Sequence, residues 1–181
     1  RSSAASDVYK RQVELRMNEA CAGGTGAFID QMASLLDVDA AGLNKLASEA
    51  EISHPMASRC GVFAKTDLVA LLNGGVPKSE VARSVLDAVA EQTVSGLACG
   101  RPVRGKIAFL GGPLTFLSEL RAAFERRLSS TGTTFASFCD AHCAVAIGAA
   151  LEGMDPASRA HRSRVWHSID DLVRELSLIH I

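Results

Sequence analysis

The residues whose types and spacing could do chemistry stand in three segments. The first is Asn18-Glu-Ala-Cys21-Ala-Gly-Gly-Thr-Gly26, a glycine-rich stretch between a predicted strand and a predicted helix. Gly23, Gly24 and Gly26 let the backbone turn tightly and come close to a ligand. A helix start offers free N–H groups and positive dipole to an anion, either phosphate oxygens or a thiolate-ligated cluster. The same loop also serves as a plain tight turn. The second segment is Ala57-Ser-Arg-Cys60-Gly-Val-Phe-Ala-Lys65-Thr-Asp67. Cys60 sits beside Arg59 near a helix start, a setting that favours the metal-binding thiolate. Taken singly, Cys21 or Cys60 also reads as a small packed residue. The third is Phe109-Leu-Gly-Gly-Pro-Leu-Thr-Phe116, a strand ending in two glycines. Such a turn lets a base or ribose lie against the backbone, and it also serves as an ordinary strand-to-helix turn.

The elements that must position these segments are mostly helical. Val13-Glu-Leu-Arg-Met17 reads as a strand leading into the first segment. From Gly26, residues Phe28, Ile29, Met32, Leu35 and Leu36 follow helical spacing. A second helix is expected from about Ala40 to Ala50, with Leu43 and Leu46 inward. Pro55 keeps Ile52 to Ser58 irregular. The next helix starts at Gly61 or Thr66, runs to Leu72 and stops at Gly74-Gly75. Ser79 is expected to cap a long helix through about Leu97, with Val81, Val85, Val89 and Leu97 on one stripe. Lys106-Ile-Ala-Phe-Leu110 reads as a short buried strand. One helix through Leu117, Leu120, Phe124 and Leu128 should follow the glycines. Thr133-Thr-Phe-Ala136 is a second strand candidate. His142 to Leu151 reads as an Ala-rich helix, and Ser168 caps a last one.

Bulk properties bound what these elements can do. The chain has 181 residues and a formal net charge of −1, enough for one domain with a real core. The balanced charge supplies no argument for nucleic acid or an anionic membrane. No apolar run approaches the roughly 18 residues of a spanning helix, and no stretch reads as a signal peptide, so the expected location is the cytoplasm. Five cysteines, an odd number without a secretion signal, argue against a disulfide framework.

The order of the motifs is more specific than any one of them. Asn-Glu-x-Cys-Ala-Gly-Gly-Thr-Gly, then Ser-Arg-Cys-Gly-Val-Phe-Ala-Lys, then Phe-Leu-Gly-Gly-Pro resembles the activators of 2-hydroxyacyl-CoA dehydratases. These belong to the ATPase family that includes the benzoyl-CoA reductase ATPase subunits. The resemblance runs from about Val13 to Leu151, and its form is most similar to a long, multidomain branch. Typical stand-alone activators carry an acidic residue where this chain has Lys65.

The resemblance implies an α/β, helix-rich fold: the C-terminal lobe of an actin-like (ribonuclease H-like) ATPase, over residues 13–152. It implies a [4Fe-4S] cluster bridging a homodimer, with Cys21 and Cys60 as each chain's ligands. It places Gly24, Thr25 and Gly26 near ATP phosphates, with Mg²⁺, and Gly111 and Gly112 on the adenosine side. The implied activity is ATP-gated transfer of a low-potential electron to a 2-hydroxyacyl-CoA dehydratase, with a ferredoxin or flavodoxin as donor. The N-terminal lobe, with its acidic phosphate loops, has no counterpart here, so no catalytic residue is assigned and the chain alone is expected to be inactive.

Other signals are read more plainly. Residues 1–12 and 177–181 resemble translated sequencing-adapter sequence, and 153–176 reads as a linker and terminal helix. Cys139-Asp-Ala-His-Cys143 has no second ligand pair at suitable spacing and is not taken as a metal site. Cys99 is expected to be a packed thiol and His54 a surface residue. Glu19 reads as a solvated or capping carboxylate, and the basic run Arg159 to Arg164 as solvated linker. Two other readings remain: a non-redox kinase or ATPase lobe of the same fold, and a regulatory docking module of a larger protein.

Overall fold

The computed structural model describes residues 26–57, 61–129 and 132–154. The predicted strand at Val13, the linker, the Ser168 helix and both chain ends lie outside the described residues. The chain divides into two units, the first ending at His142 and the second beginning at Cys143.

The first unit is built on helices whose ends are set by identifiable residues. Helix α1 (Gly26–Leu35) buries Phe28, Ile29, Met32 and Ala33. It ends where Asp37 takes a left-handed φ of 60°. There the Val38 N–H reaches back to the Ala33 carbonyl at 3.1 Å. Asp39 caps α2 (Ala40–Ser48), its carboxylate accepting the Gly42 N–H at 2.7 Å. Leu43 is fully buried and Leu46 packs against the core edge. Helix α3 (Gly61–Asn73) stops at the predicted glycines. Gly75 has φ 80°, and the Val76 N–H closes onto the Leu71 carbonyl at 3.1 Å.

The long helix α4 (Lys78–Ala98) is the centre of the unit, packed against α1, α2, α3 and a later helix, α6 (Ser118–Leu128). Its N-cap is Pro77, not the predicted Ser79. The fixed proline φ gives an extended entry, and the Pro77 carbonyl already accepts the Val81 N–H at 3.1 Å. Val81, Val85 and Val89 are buried as expected, with Ala82, Leu86 and Ala90 beside them. Leu97 is only half-buried. Steps of four residues drift by about 40° each on a 3.6-residue helix, which carries position 97 off the stripe. Each buried Leu or Val contributes about 1.5–3 kcal/mol.

The α/β part is small. Strands β1 (Gly105–Ala108) and β2 (Thr133–Ala136) pair in parallel, with Ile107 opposite Phe135. The prediction of a buried strand over 106–110 is corrected on both extent and burial. Gly105, Lys106 and Ala108 are exposed, Ile107 is half-buried, and the buried Phe109 lies just past the strand. Among the described residues the sheet has only these two strands.

The single helix expected after the glycines is two. Helix α5 (Gly112–Phe116) and α6 are separated by Leu117, whose φ of −102° and ψ of 92° are extended. The break turns Leu117 into the core beside Leu120 and Phe124, while Phe116 faces out. It also leaves α6 without a cap of its own. Asn44 of α2 supplies one: its Oδ1 accepts the Glu119 N–H at 2.8 Å, and its Nδ2 donates to Ser118 Oγ at 3.2 Å. The region expected as one helix from His142 opens instead with a 3-10 turn, Ala141–Cys143. In the second unit, helix α7 (Ala144–Met154) follows. Among the described residues, no helix is long and apolar enough to cross a membrane.

Candidate functional site

The glycine turn after β1 has the geometry its sequence suggested. Gly111 takes φ 98° and ψ 165°, a combination almost confined to glycine. Its N–H donates to the Ala141 carbonyl at 2.9 Å, tying the end of β1 to the turn after β2. Its carbonyl accepts both the Thr115 N–H and the Thr115 hydroxyl, the latter at 2.7 Å. Below the turn, Phe109 stacks on Phe135 with centroids 5.7 Å apart and meets Phe124 at 6.0 Å. The Arg121 guanidinium lies 5.8 Å from the Phe109 centroid. The turn is therefore rigid, and it lies beyond the carboxyl ends of parallel strands, where open α/β sheets take their ligands. A Cβ on Gly111 or Gly112 would meet no heavy atom within 4 Å. Among the described residues, the space above both glycines is open.

Two residues beside this turn were not singled out from sequence. Phe116 is 69% exposed, and its ring sits 5.4 Å from that of His142. The two rings, tilted by 47° to each other, stand close in sequence and structure to Gly111 and Gly112. Phe116 ended the third motif, but helical periodicity drew attention to the buried Leu117 instead. His142 was read as part of the Cys139–Cys143 run and as the start of the Ala-rich helix. Among the described residues, no group of three or more His, Cys, Asp or Glu is placed to hold a metal ion.

The predicted cluster and phosphate segment is only partly in view. Gly26 is described: it opens α1 and is exposed, and a Cβ added there would meet no heavy atom within 4 Å. Cys21, Gly24, Thr25 and Cys60 lie outside the described residues. The helices that follow the two cysteines are described. Neither α1 nor α3 has an acidic residue in its first turn. The N-terminal end of α1 is not offset by an acid in its own first turn, which suits an anion nearby, whereas at α3 the Asp67 carboxylate reaches the Ala57 N–H ahead of the helix at 2.7 Å. The first turn of α3 also holds Val62 and Phe63 outward, at 72% and 63% exposure.

Upstream of Cys60, residues 52–57 have no regular structure. His54 is half-buried rather than on the surface as expected, because it is drawn against α4. Its N–H donates to Ser84 Oγ at 2.7 Å, and its Nε2 lies 2.6 Å from Glu80 Oε2. A groove of about 410 Å³ beside it is lined by His54, Met56, Asp87, Glu91, Arg126 and Arg127. Its charges are already paired, Arg126 with Asp87 at 2.6 Å and Arg127 with Glu91. The hydrogen bond from Arg127 holds the Glu91 carboxyl below its ordinary range. Cys99 is exposed, not packed, since it ends α4 in a left-handed conformation with φ 48°.

A glycine turn at the carboxyl end of a parallel sheet, within a helix-rich lobe, is the arrangement in which open α/β folds take their ligands. Residues 4–153 match the BadF/BadG/BcrA/BcrD ATPase family, and the chain belongs to that family. It is 34% identical over 89 residues to the activator of lactoyl-CoA dehydratase of Anaerotignum propionicum, covering 49% of this chain and 32% of that protein. It is 31% identical over 97 residues to the (R)-2-hydroxyglutaryl-CoA dehydratase activating ATPase of Acidaminococcus fermentans, covering 54% and 37%. The crystal structure of component A of the latter organism's (R)-2-hydroxyglutaryl-CoA dehydratase superposes with a TM-score of 0.68 at 30% identity. It covers 77% of this chain and 52% of that one. The activator of the 2-hydroxyisocaproyl-CoA dehydratase from Clostridium difficile, with bound ADPNP, gives a TM-score of 0.68 at 26% identity, covering 88% and 58%. The fold is thus that of the actin-like activator ATPases. The chain spans between a third and three-fifths of the length of these relatives.

Proposed function

We propose that this chain is the lobe of an ATP-driven activator that carries the cluster thiols and the adenosine-side turn. The observation that carries the reading is the Gly111–Gly112 turn: a glycine-only backbone, open above, with Phe116 and His142 beside it. Gly111 and Gly112 take the adenosine, with the base against Phe116. Gly24, Thr25 and Gly26 face the phosphates and their Mg²⁺. Stacking a base on an exposed aromatic ring is worth roughly 1–3 kcal/mol.

Cys21 and Cys60 would hold a [4Fe-4S] cluster jointly with the same pair from a second copy. The donor set fits: four thiolates satisfy a cubane, and a twofold axis supplies two from each chain. When bound, the cluster supplies one-electron transfer. The chain's own contribution would be two thiols that precede α1 and α3 in sequence, with the exposed apolar side chains Val62 and Phe63 opening α3. Nucleotide binding shifts the population of lobe arrangements, and an electron from a ferredoxin or flavodoxin passes to a 2-hydroxyacyl-CoA dehydratase in the cytoplasm.

Anaerobic reconstitution with iron and sulfide tests this. The expected result is about four irons per dimer, lost in Cys21→Ser and in Cys60→Ser. A brown chromophore that survives either substitution refutes the ligand assignment. Its absence from the unsubstituted chain favours the non-redox lobe.

A further inference from the structure

Two aromatic rings beside the glycine turn are brought together by one residue. The Gly111 carbonyl accepts the Thr115 N–H at 3.2 Å and the Thr115 hydroxyl at 2.7 Å, and Thr115 is followed by Phe116. The Gly111 N–H donates to the Ala141 carbonyl at 2.9 Å, and Ala141 is followed by His142. Both bonds thus come from a single residue, whose φ of 98° and ψ of 165° suit glycine. They join the chain that follows β1 to the chain that follows β2. The rings meet there with centroids 5.4 Å apart and planes tilted by 47°. Gly111, Phe116 and His142 all belong to the first unit.

Neither ring serves the core. The extended Leu117 turns its own side chain inward and leaves Phe116 69% exposed, and His142 is exposed as well. Burying a phenylalanine is among the larger single gains a fold can make, and here it is forgone. A lone exposed ring also keeps its rotamer freedom, which a ligand must remove when it binds. A tilted aromatic contact is of the same order as that cost, so a ring already held by its neighbour loses little on binding.

We propose that His142 is the positioning residue for Phe116, and that the ring so held makes this site prefer purine to pyrimidine nucleotides. This rests on the reading of Gly111 and Gly112 as the adenosine side, with the base against Phe116. Stacking strengthens with the π-face that overlaps, and a bicyclic purine offers more of it than a monocyclic pyrimidine. No hydrogen bond to the base edge is needed for that choice, so it divides the bases by ring size and not by their polar groups. The ring of His142 matters here and its nitrogens do not: a phenylalanine at the same place keeps the contact with Phe116.

The test is a nuclear magnetic resonance titration of the 181-residue chain with ATP, GTP, CTP and inorganic tripolyphosphate, the last carrying no base. ATP and GTP should bind several-fold more tightly than CTP. Phe116→Leu keeps an apolar side chain without a π-face. It should weaken ATP about tenfold, erase the preference over CTP and leave tripolyphosphate unchanged. His142→Ala should weaken ATP several-fold, again with tripolyphosphate unchanged, and His142→Phe should restore it. Equal affinities for ATP and CTP in the unsubstituted chain overturn the proposal, as does GTP binding no better than CTP. His142→Phe behaving like His142→Ala overturns it too, and so does a loss for tripolyphosphate as large as the loss for ATP. If ATP binds and no variant alters it, the adenosine reading stands and the role of the rings is removed. If the unsubstituted chain binds no nucleotide, that reading fails and the proposal fails with it.

Discussion

Two adjacent glycines should respond to the same substitution with opposite signs. Gly111 sits at φ 98° and ψ 165°, where a Cβ costs about 1–3 kcal/mol of backbone strain. No heavy atom lies within 4 Å of that Cβ, so steric crowding adds nothing. The lower entropy of an unfolded chain with Ala returns about 0.4–1 kcal/mol. Gly111→Ala should therefore lose about 1–2 kcal/mol. Gly112 opens α5, has no positive φ, and is equally open, so only the entropic term applies. Gly112→Ala should gain about 0.4–1 kcal/mol. With a urea slope of about 2 kcal/mol per molar, the midpoint falls by about 0.5–1 M in the first and rises by about 0.2–0.5 M in the second. Urea titrations followed by far-ultraviolet circular dichroism read both. An unchanged midpoint in Gly111→Ala, or a lowered one in Gly112→Ala, would refute the reasoning. Titration with an ATP analogue adds a functional arm: Gly112→Ala should bind more weakly despite its higher stability, because its methyl group fills space assigned to the ribose.

Other expectations follow from single residues. Asn44→Ala removes the only side-chain cap seen on α6 among the described residues, and should cost about 1–2 kcal/mol in the same titration. Asn44→Asp should retain stability, since it keeps the acceptor and adds a favourable charge at the helix start. Cys99→Gly should raise stability by about 1 kcal/mol, because the left-handed φ of 48° is unfavourable for any residue with a Cβ. Glu91 is held below its ordinary value of 4.5, chiefly by the Arg127 hydrogen bond, so its contribution is full above that value and fades as pH falls through the lower folded value. The difference between the unsubstituted chain and Glu91→Gln should therefore shrink on acidification below about pH 4.5. It should stay under about 1 kcal/mol throughout, given the pair's exposure.

The helical frame was legible because its signals are local. Gly74-Gly75 stops α3 through a left-handed Gly75, and the apolar spacing from Phe28 to Met32 marks the buried face of α1. What the sequence hid depends on residues far apart in the chain. Nothing near Leu117 announces that α5 and α6 separate there, because α6 is capped by Asn44, which lies on a different helix. His54 before Pro55 reads as solvated until α4 brings Glu80 and Ser84 to it. The strand at Lys106 reads as buried from its apolar composition, but burial is decided by how many strands and helices flank it. Of the candidate site, the tight turn at Gly111 was legible in the glycine pair after a strand, although that pair serves equally as an ordinary strand-to-helix turn. The two rings beside it were not, because Phe116 and His142 meet only when β1 and β2 pair.

The position of α4 bears on how the two proposed chemistries could be linked. One end of α4 carries Glu80, Ser84 and, next to it, Arg83, which fix the chain leading to Cys60. Along its length it packs on α6, the helix that continues from the Gly111 turn. Asp87 and Glu91 of α4 pair with Arg126 and Arg127 of α6, so the contact is held by charge at the rim as well as by Val85 and Phe124 in the core. Side chains packed to crystal-like density do not slide by fractions of a contact; they keep one arrangement or move to another. Within this unit, a displacement of the glycine turn would therefore act on α4, the element that holds His54. Residues 52–57 are irregular, held by side-chain hydrogen bonds from α3 and α4 and by the packing of Met56 against the core.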